Sequence, residues 1–322
     1  MLKNTLLFFG VSVFSAAATG AELWLAPGSE LRGEPQVHSA VYEDTFVKLA
    51  RQYNVGYDEL RSANPGVDAW LPGAGTQILI PSQYLLPRAP QRGIVVNVAE
   101  LRLYYFPDGA QAVDPATGAR RVYTYPISIG QLDWSTPLGR TTVTSKVKNP
   151  SWTPPESIRA EHAERGDILP RVVPPGPDNP LGAHALRLGF PSYLIHGTNR
   201  PSGIGMRVTH GCIRMFPEDV EALFSMVPVG TTVLIVNQPF KVGWGPDGGL
   251  YVEAHAPLEE HEESWSATEL TRAYVAATEE RTAEVDWRLA EEILELKRGL
   301  PAFVSMGSVE ITAAVIEDEV AL

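Results

Sequence analysis

The sequence predicts a mainly β chain: a β-sandwich or barrel as the main body, a small βααβ unit ahead of it and a helical appendage behind it. Three observations carry the prediction. Two short helix patterns sit between strand signals in residues 37–82, β-rich segments broken by glycine and proline fill 92–239, and capped apolar periodicity of helical type follows from 240. At 322 residues there is room for two or three such units. With 44% hydrophobic and 20% charged residues the chain can bury cores, and it is neither a coiled coil nor a multi-span membrane protein. Lys and Arg total 26 against 38 Asp and Glu, a net charge of −12, so a nucleic-acid partner is excluded for want of a basic surface. Cys212 is the single cysteine, which excludes an internal disulfide and any multi-cysteine metal site.

The first segment reads as an address. Lys3 precedes an apolar run from Leu6 to Phe14, and the small residues Ala16-Ala17-Ala18-Thr19-Gly20-Ala21 come before Glu22. This is the pattern of a cleaved signal peptide over residues 1–21. The run is about half the ~20 apolar residues a membrane span needs, so no span is expected in the mature chain. Export brings a lone thiol into an oxidising compartment, where it either has a function or is buried and inert.

Residues 37–82 follow. Phe46, Leu49, Ala50 and Tyr53 form one apolar helix face, with Asp44-Thr45 at the N-cap. A second short helix runs from Tyr57 to Ala63, Asn64-Pro65-Gly66 marks a turn, and Gln77 to Ile80 is a closing strand. Asp44-Thr45-Phe46, Ala50, Tyr53, Leu60, Ala63-Asn64-Pro65, Gly73 and Ile80-Pro81 resemble a LysM module, which implies a small glycan-binding fold of cell-wall proteins. Tyr42-Glu43 stands where that family usually has Pro-Gly, which alters the loop expected to meet N-acetylglucosamine.

In residues 92–239, Ile94–Val98 and Leu101–Phe106 read as strands around a tight turn, Val122–Ile129 as a third and Thr141–Thr144 as a fourth. Pro217 to Val227 is a helix with proline in its first turn, Glu218 and Asp219 at its positive end, and Val220, Leu223, Phe224 and Val227 on one face. Residues 240–322 read as acidic and largely helical. Ser266-Ala267-Thr268-Glu269 is a capping box, and Val285, Leu289, Ile293 and Leu296 form a stripe ending before Gly299 and Pro301. This segment holds 18 acidic and 6 basic residues, so it carries the whole net charge.

Candidate chemistry converges on Thr209-His210-Gly211-Cys212-Ile213-Arg214 and on His196-Gly197, where a strand enters a loop. A free thiol is only slightly ionised at neutral pH, and an imidazole acting as base makes it a usable nucleophile. Gly211 permits close approach of an acyl group, and its amide and that of Cys212 are oxyanion candidates. Arg214 lies on the same side as Cys212 in an extended segment and suits a substrate carboxylate. A buried thiol among core histidines is the alternative reading. A metal site of His196, His210 and Cys212 would be a poor chelate, because two of its members crowd one glycine.

His196-Gly197-Thr198-Asn199, Pro201, Ile204-Gly205 and Thr209-His210-Gly211-Cys212-Ile213-Arg214-Met215 together resemble the L,D-transpeptidase family of YkuD type. Tyr125-Pro126 with Ser128-Ile129-Gly130, Thr136-Pro137-Leu138-Gly139, Trp152-Thr153-Pro154-Pro155 and Asn179-Pro180-Leu181-Gly182 extend the likeness over about 92–237. With the LysM-like unit and the acidic tail, the arrangement resembles the ErfK/YbiS branch of Gram-negative bacteria. That resemblance implies a YkuD-like β-sandwich, a periplasmic address and action on peptidoglycan tetrapeptide stems. It makes Cys212 the nucleophile and His196 the acid–base group, with His210 also catalytic and Gly211, Arg214, Gly197 and Thr209 at the substrate or oxyanion. The expected acceptor is the C-terminal lysine of an outer-membrane lipoprotein or a second diaminopimelate, and no cofactor or metal is implied. The alternatives are a hydrolase using the same acyl-enzyme and a non-catalytic wall-binding protein. A lone exported nucleophilic thiol further suggests dependence on a periplasmic thiol reductant.

Overall fold

The computed structural model describes residues 21–109 and 112–306, so the expected export segment lies outside the described residues except for Ala21. The N-terminal elements are β1 (Ala21–Leu25), β2 (Leu31–Gly33), β3 (Gln36–Ser39), α1 (Phe46–Tyr53), α2 (Tyr57–Ala63), β4 (Gln77–Ile80) and β5 (Gln83–Leu85). The body contains β6 (Gly93–Asn97), β7 (Arg102–Phe106), β8 (Arg120–Pro126), β9 (Ile129–Gly130), β10 (Gly139–Lys148) and α3 (Glu156–Glu164). It continues through β11 (His184–Leu188), β12 (Leu194–His196), β13 (Arg207–Thr209), β14 (Ile213–Arg214), α4 (Pro217–Met226) and β15 (Thr232–Val236). The last elements are β16 (Phe240–Trp244), β17 (Leu250–Ala254), α5 (Ala267–Ala277), α6 (Trp287–Leu296) and β18 (Ala302–Phe303).

The chain is mainly β, as the sequence predicts. Nine strands form one curled sheet in the order β1-β8-β7-β6-β15-β10-β11-β12-β14. Its bend lies in β10, which pairs with β15 through Gly139–Thr142 and with β11 through Val143–Lys148, with a register shift between Val143 and Ser145. A bulge of this kind lets one strand serve both layers of a sandwich. The curl brings the two ends of the sheet together. Ser128, just past β8, exchanges backbone hydrogen bonds of 2.8 and 2.9 Å with Arg214 at the far edge. Inside lie Ile94, Val96, Leu103, Val143, Ile195 and Ile213, with Val220 and Leu223 of α4 closing the core.

The βααβ unit follows from its sequence. The Thr45 hydroxyl accepts from the Lys48 amide at the start of α1, and Phe46, Leu49 and Ala50 are buried with Leu60, Ile78 and Ile80. Strands β3 and β4 pair antiparallel, and His38 bridges Asp44 and the Tyr53 hydroxyl at 2.8 Å each. The C-terminal segment has a content the sequence did not announce. Its two helices pack on a three-stranded sheet, β16-β17-β18. The expected stripe is also redistributed. Val285 precedes α6 and bridges Ser305, the helix buries Ala290 and Ile293, and Leu296 is exposed.

The parts meet at a buried polar junction. Lys241 of β16 donates to the carboxylates of Glu100 and Glu253 and, at 2.7 Å, to the Leu85 carbonyl. Glu253 in turn accepts from the Leu85 amide at 2.6 Å, and Tyr104 donates to Glu100 at 3.0 Å. The ligand atoms of Glu100, Glu253 and His255 lie within 4.8 Å of one another, and the Lys241 ammonium already pairs with both carboxylates. Removing a buried countercharge costs about 3–5 kcal/mol. Lys241→Met therefore lowers the unfolding free energy by about that amount in urea titration; a loss below ~1 kcal/mol contradicts the junction's structural role.

Candidate active site

Strands β12 and β14 run parallel, with Ile195 opposite Ile213 and His196 opposite Arg214. Ile195 and Ile213 are both in the core, so strand alternation turns His196, Cys212 and Arg214 to the other face. A cysteine and a histidine 16 residues apart in sequence thus come from adjoining chain segments. Cys212 is half-buried, and its thiol donates to the Ser192 carbonyl at 3.6 Å. Burial pushes the thiol pKa up, against the Leu194 amide and the Arg214 guanidinium, which lower it.

His196 is buried, and its Nδ1 donates to the Gly197 carbonyl at 2.6 Å. That bond puts the ring proton on Nδ1 and leaves Nε2 as the proton acceptor. Burial, helped by the charge of Arg214, pushes its pKa down to about 3, against the carbonyls of Gly197 and Leu181. The resting pair is a neutral thiol and a neutral imidazole. Arg214 has a buried Nε with no partner among the described residues, and burial lowers its pKa.

The other expected site residues occupy supporting positions. The Thr209 hydroxyl accepts from the Gly211 amide at 3.2 Å and donates to the Cys212 carbonyl at 2.7 Å, inside the protein. The expected oxyanion donor at Gly211 is therefore already engaged, and Thr209 shapes the turn from within. Gly211 has φ +97°, and a Cβ there would lie 2.8 Å from the Tyr193 ring, so glycine is required by the backbone as well as by substrate access. Gly197 donates its amide to the His184 carbonyl and uses its own carbonyl to hold His196, so its polar groups face the protein. His210 lies 2.8 Å from a Glu161 carboxylate oxygen on α3 and meets the Trp134 ring edge-on at 5.0 Å.

Several groups at the site had no role in the sequence reading. Ser192 holds a left-handed backbone, φ +69°, that aims its carbonyl at the thiol. Thr136 donates to the Gly211 carbonyl at 2.9 Å, and the Ser128 hydroxyl donates to Gly203 at 2.6 Å. Ser128 and Thr136 stood within recognisable motifs, which was a usable signal. Glu161 sits in an ordinary polar helix and offered none.

A mainly β domain that presents a thiol, an imidazole and a guanidinium on one face has the make-up of an acyl-transfer enzyme. Comparison with known proteins agrees. Residues 91–235 match the family model described as YkuD, the L,D-transpeptidase catalytic domain. "Probable L,D-transpeptidase YcfS" of Escherichia coli K12 is 42% identical over 308 residues, covering 93% of each chain. "Probable L,D-transpeptidase YbiS" of the same strain is 40% identical over 302 residues, 91% of this chain and 95% of that one. "Probable L,D-transpeptidase ErfK/SrfK" is 39% identical over 320 residues, 95% and 97% of the two chains. The chain belongs to the YkuD-type L,D-transpeptidase family.

A raised thiol pKa means less thiolate at neutral pH than in a free cysteine. Alkylation of Cys212 by iodoacetamide therefore rises with pH to a midpoint above the ~8.5 of an ordinary thiol. A rate already at its plateau below pH 7 would show a preformed thiolate–imidazolium pair and contradict the neutral one.

Proposed function

We propose that this enzyme is a periplasmic L,D-transpeptidase that acts on peptidoglycan tetrapeptide stems through a Cys212 thioester. The observation that carries the reading is the common placement of His196 and Arg214 on paired strands with Cys212 immediately before the second of them. As substrate binds, His196 Nε2 takes the thiol proton while Sγ attacks the carbonyl of the third stem residue, diaminopimelate. The Cys212 amide is the remaining backbone candidate for the oxyanion, since that of Gly211 serves Thr209. Arg214, with its unsatisfied Nε, pairs with a stem carboxylate. Collapse breaks the peptide bond, and D-alanine leaves with the proton from His196. An acceptor amine then attacks the thioester, its proton passes to His196, and the sulfur leaves and is reprotonated. The acceptor is the lysine of an outer-membrane lipoprotein or a second diaminopimelate; water in its place gives the hydrolytic alternative.

A periplasmic setting is supported by the expected export signal, and no described helix is long and apolar enough to cross a membrane. Tyr42 and Trp70, on two loops of the βααβ unit, are 79% and 63% exposed, and Leu71 beside them is 69% exposed. These exposed side chains, with the LysM-like unit that carries them, support wall glycan as the unit's ligand.

A second reading gives the base's role to His210. It is favoured by the Glu161 contact, which fixes the orientation of the His210 ring, whereas burial disfavours an imidazolium at His196. Incubation with tetrapeptide muropeptide, with and without a lysine-ended peptide, separates acceptors by product mass: amide-linked peptide, 3→3 dimer or free tripeptide. Cys212→Ala abolishes all three with the fold intact, and retained turnover overturns the assignment. His196→Ala lowers the acylation rate by about 10²–10⁴-fold. A loss under tenfold there, with a large loss in His210→Ala, transfers the role to His210.

A further inference from the structure

The βααβ unit grips the chain on both sides of the Cys212 motif, and we infer that it is a positioning element of the active site as well as a module in its own right. The inference rests on the reading that Cys212 is the nucleophile.

Upstream, the first two amides of α2 bind the loop that leads into the motif. Tyr57 donates to the Ile204 carbonyl at 3.3 Å and Asp58 to the Gly205 carbonyl at 3.1 Å. The two backbones touch. Gly205 has φ +82°, a Cβ on it would lie 2.2 Å from the Tyr57 nitrogen, and a Cβ on Gly56 would lie 3.1 Å from the Gly205 Cα. The contact continues inward, because Gly203 in the same loop accepts from Ser128, and Ser128 is hydrogen-bonded through its backbone to Arg214.

Downstream, the unit holds the start of α4, only a few residues past Cys212. Arg51 donates to both carboxylate oxygens of Glu218 at 2.8 and 3.0 Å, and its guanidinium lies 5.9 Å from the centre of the Phe216 ring. Asn54, which ends α1 in a left-handed conformation, donates to both oxygens of Asp219 at 2.8 and 2.9 Å in a buried contact. A third anchor fixes the unit to the sheet: Glu59 receives bonds of 2.9 and 2.6 Å from Arg102, whose guanidinium stacks 4.0 Å over Tyr84. A unit that only tethers an enzyme to its substrate needs a linker. This one has a glycine-to-glycine backbone contact upstream of the nucleophile and bidentate side-chain bonds at three places, of which Asn54–Asp219 is buried, Arg102–Glu59 part-buried and Arg51–Glu218 exposed. It restrains the segment from 201 to 219 and so holds the sulfur and Arg214 in register with His196.

The test uses the full chain and three variants: Gly56→Leu, which wedges α2 away from Gly205; Arg51→Glu; and the swap Arg51→Glu with Glu218→Arg. Hydrogen exchange is followed at residues 201–216 and in β6 and β15, together with kcat and KM for tetrapeptide muropeptide. The expected result is at least tenfold faster exchange in 201–216 for Gly56→Leu and Arg51→Glu, unchanged protection in β6 and β15, and a kcat at least tenfold lower with KM within threefold. The swap restores both readouts. Wild-type exchange in 201–216 in both single variants overturns the inference, as does faster exchange that leaves kcat untouched. If Gly56→Leu loosens β6 and β15 as well, Arg51→Glu and its rescue by the swap decide. If the wild-type enzyme does not turn over the muropeptide, the functional reading fails by itself, and the exchange data still decide whether the unit restrains the loop.

Discussion

The parallel pairing of β12 with β14 is the constraint on which the site depends. Those strands are three and two residues long, and on their own they would not hold a register. What fixes them is burial of Ile195 and Ile213 on one face, since a one-residue slip of either strand would send its isoleucine outward and carry its neighbour, His196 or Arg214, inward. The hydrophobic core therefore sets the chemistry's geometry without contributing a reactive atom. Arg214 then acts in two directions through the same placement, lowering the pKa of the thiol and of the imidazole together.

A short edge strand needs closure, and the rest of the fold supplies it. Ser128 pairs with Arg214 from the opposite end of the curled sheet, so β14 is bounded by β12 on one side and by the β8–β9 connection on the other. The buried Lys241 junction anchors the C-terminal sheet to the β6–β7 turn, and Arg207 on β13 reaches Glu260 beyond β17 through two bonds of 2.7 and 2.8 Å. The described part of the acidic C-terminal segment is thus fastened in part by individual ion pairs, while most of its described carboxylates are exposed.

Much of this was legible in the sequence where signals are local. The α1 and α2 pattern, the proline-started α4 and strands β6, β7, β8 and β10 follow from periodicity and turn chemistry, though the third strand reads through to Ile129 where the chain breaks it after Pro126, and the His-Gly-Cys and His-Gly-Thr-Asn motifs point to the site. The β16–β18 sheet was hidden because its alternation is broken by Lys241, a buried charge whose partners Glu100 and Leu85 lie more than 100 residues away. The contribution of Ser192, a carbonyl on a strained backbone, and of Glu161, a surface helix carboxylate, exists only in the folded chain. For Thr209, Gly211 and Gly197 the positions were legible and the roles were not, because a motif shows which residues matter and only geometry shows which way their polar groups face.

If Cys212 is the nucleophile, it carries the acyl group during turnover. The most direct measurement is to mix the enzyme with tetrapeptide muropeptide, quench within the first turnover and map the mass of the protein by peptide. The expected result is an adduct equal to the muropeptide less D-alanine, on the peptide containing Cys212 and released by hydroxylamine. Release of D-alanine with no such adduct on the nascent enzyme, or an adduct on any other residue, would contradict it.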